Sequence, residues 1–200
     1  MKRSAAAAAF LVIFLSAGAA RAENKIATFA GGCFWCMTPP FENLAGVSKV
    51  EAGYTGGKTQ NPTYEEVSEG DTGHAESVRV TYDPAKVTYQ QLLDAFWHNI
   101  DPTTENSQFA DRGTQYRTAI FYHNDEQKKL AEASRDALAK SGKFKSPIVT
   151  EIVAAGPFYP AEDYHQDYYK KNPFRYNAYE VGSGRAGFLE RMWGKGKTKE

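Results

Sequence analysis

Strand-like and helix-like segments alternate along this chain, and their order constrains the fold more than any other feature of the sequence. The clearest strand pattern covers 75–82, where large side chains fall on every second position from Glu76 onward. The clearest helix pattern begins at Thr88, which forms a capping box with Gln91, and its apolar stripe continues to Ile100. Because each pattern has one apolar face, we expect helices packed against a sheet.

Weaker patterns complete the order. We expect further strands at 26–29, 47–54, 117–122 and 149–153, and further helices at 40–44, 124–141 and 162–171. Thr38, followed by two prolines, is the expected cap of the first helix. Residues 55–74, 103–116 and 156–160 are expected to be loops. This order predicts an α/β (α+β) fold, a two-layer sandwich with a mixed sheet of the split βαβ, ferredoxin-like type and a long coil C-terminus.

The N-terminal segment has the three parts of a secretory signal peptide. Lys2 and Arg3 precede an uncharged apolar run at 5–15, and small residues then lead to the pattern Ala20-Arg21-Ala22. The run is shorter than the ~20 residues of a membrane span, so no stable membrane insertion is expected. We predict a signal peptide at 1–22 and a single domain at 23–200 that is exported, to the periplasm or as a secreted protein. An uncleaved anchoring helix is the alternative.

The charge balance argues against two classes of partner. The chain carries 24 basic and 24 acidic residues. Removal of 1–22 takes away Lys2, Arg3 and Arg21 and no acid, which leaves 21 basic against 24 acidic residues, a net charge of −3. This balance gives no support for nucleic acid or anionic lipid as a partner. No patterned apolar surface indicates an oligomer, so we expect a monomer.

Both cysteines, Cys33 and Cys36, lie three residues apart directly after the first strand pattern. The glycines at 31–32 allow a sharp turn, and the spacing permits a small disulfide. A zinc site would need two further ligands, and the histidines lack ligand spacing. A structural disulfide would close a tiny loop and add little stability. A redox pair, in which one thiolate attacks and the other resolves, is the favoured hypothesis. The structural disulfide stays open as an alternative.

The residues between the cysteines suggest which redox reaction this is. A disulfide exchanger usually has small or polar residues there, whereas Phe34 and Trp35 form an apolar wall beside the sulfur. Elsewhere the chain offers groups that can protonate or hydrogen-bond an oxygen: Glu76, Tyr64, Tyr116 and Asp111. A thiolate, an apolar pocket and an acid suit methionine sulfoxide, which has a methyl group beside a polar oxygen. His74 and His165 are expected to be structural. A scaffold protein and a general disulfide oxidoreductase remain the competing functions.

Six motifs, in order, resemble those of the peptide methionine sulfoxide reductase A family. They span nearly all of the chain after the signal peptide and are highly specific as a set. They are GCFW (32–35), GYTGG (53–57), NPTY (61–64), GDTGHAE (70–76), DRGTQYR (111–117) and PFYPAE (157–162).

The resemblance implies an activity and a role for each site residue. It implies reduction of the S epimer of methionine sulfoxide, free or in proteins, with electrons from a thioredoxin-like thiol donor and neither metal nor other cofactor. It implies that Cys33 is the nucleophile and Glu76 the proton donor. The implied substrate-binding residues are Phe34 and Trp35 for the methyl group, Tyr64 and Tyr116 for the oxygen, and Asp111 as support.

Cys36 departs from the commonest pattern of the family. Many members resolve the intermediate with cysteines in a C-terminal tail, whereas a subset resembles this chain in having Cys-Phe-Trp-Cys. The resemblance therefore implies that Cys36 resolves the intermediate, and the lack of a third cysteine supports this. The expected cap at Thr38 leaves both cysteines in a separate turn, away from the helix dipole that would lower the pKa of Cys33.

Overall fold

The computed structural model describes residues 23–194, and the predicted signal peptide at 1–22 lies outside them. The strands are β1 (Lys25–Gly31), β2 (Val47–Thr55), β3 (Ala75–Tyr82), β4 (Ser107–Gln108), β5 (Asp111–Arg112), β6 (Thr118–Tyr122), β7 (Glu151–Ala154) and β8 (Phe158–Pro160). The helices are α1 (Phe34–Glu42), α2 (Tyr64–Glu69), α3 (Tyr89–Trp97), α4 (Asp125–Lys140), α5 (Tyr168–Lys171), α6 (Pro173–Gly182) and α7 (Arg185–Trp193), with a short 3-10 helix at Thr114–Tyr116.

Six strands form one mixed sheet in the order β7-β6-β1-β3-β2-β8, and β4 pairs with β5 in a separate hairpin. Neighbouring strands of the large sheet are antiparallel, except that β7 runs parallel to β6. The predicted mixed α/β architecture is therefore confirmed. Strands β1 and β3 lie at the centre of the sheet, where neighbours on both sides fix their ends.

The hydrophobic core lies between this sheet and the helices that cover it. The ring of Phe29 on β1 stacks on Phe41 of α1 and on Phe96 of α3, with ring centroids 5.0 and 5.2 Å apart. Val78 and Val80 of β3 are completely buried in the same cluster. Since fully burying one such side chain stabilises the fold by roughly 1.5–3 kcal/mol, this core holds the start of α1 firmly against β1 and β3.

Helix α1 begins earlier than the sequence suggested. Cys33 is its N-cap and Phe34 its first residue, so the expected cap at Thr38 and the expected helix at 40–44 are wrong. Thr38 instead lies inside the helix and donates its hydroxyl to Phe34 O at 2.9 Å. The prolines at 39–40 remove two backbone donors, but burial of the helix face that carries Phe41 outweighs that loss.

The C-terminal segment is helical, and the predicted coil is wrong. Helices α6 and α7 bury few side chains, namely Tyr176, Arg185 and Leu189, so the apolar stripe that identifies a helix is weak. The expected helix at 162–171 is reduced to α5, and the loops expected at 55–74, 103–116 and 156–160 contain α2, the β4–β5 hairpin and β8. Within residues 23–194, no helix is both long and apolar enough to cross a membrane.

We expect Gly53→Ala to destabilise the protein, because the neighbouring strand β8 lies very close to this glycine. A Cβ atom at position 53 would lie 2.4 Å from the Tyr159 carbonyl oxygen and 2.5 Å from the Phe158 ring. Overpacking of this kind costs about 1–3 kcal/mol. Urea denaturation measures the change, and Gly156→Ala is the matched control because a Cβ there meets open space. Equal stability of the two variants would contradict this prediction.

Candidate active site

The cysteine turn joins β1 to α1 and brings Cys33 to the floor of a cavity. Gly32 has a positive φ of 78°, and a Cβ on it would lie 2.5 Å from Gln108 Cβ, so both conformation and space require glycine. Cys36 then donates its N–H to Cys33 O at 3.1 Å as the helix starts. The result places Cys33 at the helix N-cap with only 7% of its surface exposed.

A cavity of about 90 Å³ opens above this turn. Its size suits the end of a side chain rather than a large ligand. Every site residue predicted from the sequence lines it, except Cys36, and Tyr179 joins them from α6. The lining residues are Cys33, Phe34, Trp35, Tyr64, Glu76, Asp111, Tyr116 and Tyr179.

Glu76 is a buried carboxyl group at the start of β3. It is 3% exposed, and its Oε2 accepts the backbone N–H of Phe34 at 3.1 Å. Burial raises the pKa of Glu76 to about 8, and the nearby charge of Asp111 acts in the same direction. The carboxyl group therefore carries a proton at neutral pH, inside the cavity that contains the Cys33 sulfur.

Two tyrosines from different segments enter the same cavity. Tyr64 begins α2, where its backbone N–H donates to Glu162 Oε1 at 2.8 Å, and Tyr116 ends the 3-10 helix. Burial raises the pKa of both phenols, so each stays protonated and can donate a hydrogen bond. The Glu162 carboxylate also accepts from Tyr54 O–H at 2.8 Å, which ties the start of α2 to strand β2.

The indole of Trp35 is held on three sides. Tyr168 stacks on it with centroids 3.6 Å apart and planes inclined by 4°, and Tyr179 meets it edge-on at 5.9 Å. Its Nε1–H donates to His165 Nδ1 at 3.0 Å, so the neutral His165 ring must carry its proton on Nε2. Burial lowers the pKa of His165, which favours this neutral form. Trp35 is therefore a rigid wall.

The two histidines expected to be structural have different surroundings. The His74 ring bonds to loop backbone: its Nδ1 accepts the Gly57 N–H at 3.1 Å, and its Nε2–H donates to Thr59 O at 2.8 Å. His165 instead contacts Trp35 and the ring of Tyr64, with centroids 4.4 Å apart. It supports the cavity from outside, since it is not among the lining residues.

Tyr179 is the site residue that sequence reasoning missed. Its O–H donates to Asp111 Oδ2, so helix α6 and the β4–β5 hairpin meet at this pair. Burial raises the pKa of Tyr179. Tyr179 lies in none of the six motifs and in a segment predicted to be coil. No apolar periodicity marks it, so only the three-dimensional contact with Asp111 reveals it.

Both cysteines are free thiols, and both are buried. Burial raises the pKa of Cys33 well above that of an ordinary thiol, with a further contribution from its hydrogen bond to Cys36 and the charge of Glu76. Cys36 packs behind the turn against Tyr168 and Tyr176, outside the cavity. In residues 23–194, no group of three or more His, Cys, Asp or Glu side chains is arranged to hold a metal ion.

Comparison with known proteins gives consistent matches. Residues 25–197 match the family model of peptide methionine sulfoxide reductase. Peptide methionine sulfoxide reductase MsrA of Bacillus licheniformis is 60% identical over 173 residues, which are 86% of this chain and 96% of that protein.

Solved structures agree in fold. Reduced Mxr1 from Saccharomyces cerevisiae is 37% identical with a TM-score of 0.70, over 76% of this chain and 87% of its own. Mxr1 in complex with Trx2 is 26% identical with a TM-score of 0.50, over 73% of this chain and 85% of its own. Together with the family match and the 60% identity, these comparisons establish that the chain belongs to the peptide methionine sulfoxide reductase A family of thiol-dependent oxidoreductases.

Proposed function

We propose that this protein reduces the S epimer of methionine sulfoxide, free or in proteins, to methionine, with Cys33 as nucleophile, Glu76 as proton donor and Cys36 as resolving thiol. One observation carries the proposal most directly. A carboxyl group that is protonated at neutral pH shares a small cavity with a thiol, as sulfoxide chemistry requires. Methionine sulfoxide reduction itself follows from family membership.

The first half-reaction moves oxygen between two sulfur atoms. Glu76 donates its proton to the sulfoxide oxygen while the Cys33 sulfur bonds to the substrate sulfur. The tyrosine hydroxyls of Tyr64 and Tyr116 stabilise charge on that oxygen. The oxygen then bonds to the Cys33 sulfur as its bond to the substrate sulfur and the bond between the two sulfurs break, so methionine leaves with its sulfur reduced by two electrons and Cys33 is oxidised to a sulfenic acid. The Cys33 thiol proton replaces the proton that Glu76 gave, and the balance closes.

The apolar wall selects the substrate group. Phe34 is almost fully buried, and Trp35 is fixed by Tyr168 and His165. Their rings can enclose a methyl group but offer a disulfide no polar partner, which favours a sulfoxide over a general disulfide exchange. With Asp111 holding Tyr179, the cavity has one apolar side and one polar side, and this asymmetry supports a preference for one epimer.

The second half-reaction restores the enzyme. The Cys36 sulfur attacks the Cys33 sulfur, the S–O bond of the sulfenic acid breaks, and the oxygen leaves as water. A thioredoxin-like dithiol then reduces the Cys33–Cys36 disulfide. The existence of a complex between Mxr1 and Trx2 supports a donor of this kind for this chain.

We also propose where the protein works, its oligomeric state and the type of its central sheet. The charged, apolar and small-residue parts of 1–22 support export to the periplasm or secretion. Residues 23–200 then form one catalytic domain, which works as a monomer. The order β6-β1-β3-β2 within the sheet, with α1 and α3 as the crossovers, supports a ferredoxin-like, split βαβ centre.

The test is turnover of separated epimers. Residues 23–200 are incubated with dabsyl-methionine (S)- or (R)-sulfoxide and dithiothreitol, and the sulfide is quantified. We expect sulfide from the S epimer alone. Insulin reduction without sulfide would instead identify a disulfide exchanger, and neither activity would favour a scaffold protein. Turnover of the R epimer would overturn the stereochemical assignment.

A further inference from the structure

Arg185, the first residue of α7, is buried directly beneath the cysteine turn. Only 2% of its surface is exposed. Its Nη2–H donates to Gly31 O at 2.8 Å, and its Nη1–H donates to Asn99 O and lies 3.6 Å from Met37 Sδ. The Phe109 ring covers the guanidinium from another side, 4.6 Å away. A residue near the C-terminus thus holds the backbone that precedes Cys33.

This guanidinium has carbonyl partners but no anionic one. Among the ion pairs of residues 23–194, none includes Arg185. Burial of a cation is unfavourable unless an opposite charge lies nearby, and an apolar side chain of similar size often stabilises such a position better. The buried charge therefore indicates a role besides stability. We expect its counter-charge to be an anion that forms during the reaction.

Cys36, the residue before the Met37 that Arg185 contacts, is the group that can supply this anion. The hydrogen bond from the Cys33 thiol lowers the pKa of Cys36, and the charge of Arg185 acts in the same direction, against burial and against the charges of Glu180 and Asp111. The rings of Tyr168 and Tyr176 are buried in one cluster with Cys36, and those of Trp35, Tyr169 and Tyr179 pack against this cluster. Burial raises the pKa of the Tyr176 phenol, so this ring contributes no negative charge near neutral pH.

Building on the proposed function, we propose that Arg185 is a positioning residue for the resolving half-reaction: its fixed positive charge stabilises the Cys36 thiolate that attacks the Cys33 sulfenic acid. The thiolate sulfur forms the new S–S bond and the S–O bond breaks. The departing hydroxide takes the proton that Cys36 gave up on becoming a thiolate and leaves as water, so Cys33 is reduced from the sulfenic state while Cys36 is oxidised. No reagent beyond the sulfenic acid of the first half-reaction is needed.

A purely structural role predicts a different pattern. Since Arg185 also binds the Gly31 carbonyl, loss of a structural tie would displace Cys33 and slow both half-reactions alike. Loss of a charge that acts on Cys36 would slow only the second. The two half-reactions can be separated in one experiment: methionine and the loss of the first free thiol report the first, and the loss of the second free thiol, that of Cys36, reports the second.

The variants separate charge from hydrogen bonding. Arg185→Gln removes the charge and keeps a hydrogen-bond donor for one carbonyl, whereas Arg185→Lys keeps the charge. Arg191→Met is the control, because Arg191 is exposed on the same helix. Arg185→Met is the second neutral variant and decides the question if Arg185→Gln does not fold. Each is mixed with methionine sulfoxide without reductant, and Cys33 sulfenic acid is trapped with dimedone.

We expect Arg185→Gln to form methionine at a rate within a few-fold of wild type and to form the disulfide about tenfold more slowly at neutral pH, since one pKa unit changes the thiolate fraction tenfold. In the Cys33→Ser background, where Cys36 is the only thiol, ultraviolet absorbance should place the Cys36 midpoint about one pH unit higher with Arg185→Gln than without it. Arg185→Lys should restore both the rate of disulfide formation and the Cys36 midpoint.

An unchanged Cys36 midpoint, or equal slowing of both half-reactions, would overturn the role of Arg185. Failure of Arg185→Lys to restore the midpoint would overturn the role of charge. The wild-type reaction tests the proposed function separately: if no methionine forms, that function fails, whatever the Cys36 titration gives.

Discussion

Glu76→Gln is expected to slow the formation of methionine by about two to four orders of magnitude, the usual contribution of a general acid. Glutamine has the same shape and can still accept the Phe34 N–H, but it has no proton to give to the sulfoxide oxygen. The measurement is a single turnover, in which excess enzyme is mixed with methionine sulfoxide and quenched. Glu126→Gln, on the exposed surface of α4, is the matched control.

The pH profile tests the same assignment. In the wild type, the rate should fall as pH rises through about 8, because Glu76 loses the proton it donates. Burial raises the pKa of Cys33 well above its ordinary value, so near neutral pH the thiol keeps the proton that it later passes to Glu76, and the profile should show the falling limb without a rising limb there. Glu76→Gln should lose the falling limb. A variant rate within a few-fold of wild type, or an unchanged falling limb, would contradict the role of Glu76.

The same substitution should stabilise the protein in alkali. The folded pKa of Glu76, about 8, lies above its unfolded value of about 4.3, so folding favours the neutral carboxyl group. The contribution of Glu76 to the free energy of unfolding is then highest below pH ~4, and it falls as the pH rises towards about 8. Glutamine removes the loss, and urea denaturation above pH 8 should show a gain of a few kcal/mol, since each pKa unit corresponds to about 1.4 kcal/mol.

Glu76 illustrates what could be predicted from the sequence. Alternation along 75–82 placed it at the start of the apolar face of a strand, and β3 presents it in that way, flanked on both sides by β1 and β2. The apolar stripe of α3 was equally clear, because its residues face a single core. Local patterns were informative wherever one face of an element is buried and the other is not.

Helix α1 and the C-terminal helices show where this reasoning fails. Two prolines suggested a helix that begins after Thr38, yet packing of Phe34 and Phe41 in the core extends it back to the cysteines. Tyr179 and Arg185 lie on helices with little apolar periodicity, and their partners are more than 60 residues away in the chain. Their places are fixed by tertiary contacts, which no local pattern encodes.

Cys36→Ser should form a single equivalent of methionine and then stop when a thioredoxin-like protein is the only reductant. The serine hydroxyl is close in size to the thiol and fits the site behind the turn, so the first half-reaction should continue at nearly the wild-type rate. It is not a thiolate, however, and cannot attack the Cys33 sulfenic acid. That acid should persist and be trapped by dimedone.

The choice of reductant makes this result specific. A small thiol such as dithiothreitol should reach the Cys33 sulfenic acid in its cavity, whereas the proposed route from the protein donor passes through the Cys33–Cys36 disulfide, which this variant cannot form. We therefore expect turnover of Cys36→Ser with dithiothreitol but not with the protein donor, and Cys33→Ser should give no methionine with either. Repeated turnover of Cys36→Ser with the protein donor would mean that reducing equivalents reach Cys33 directly. In that case Cys36, and the charge of Arg185 beneath it, would have no part in recycling.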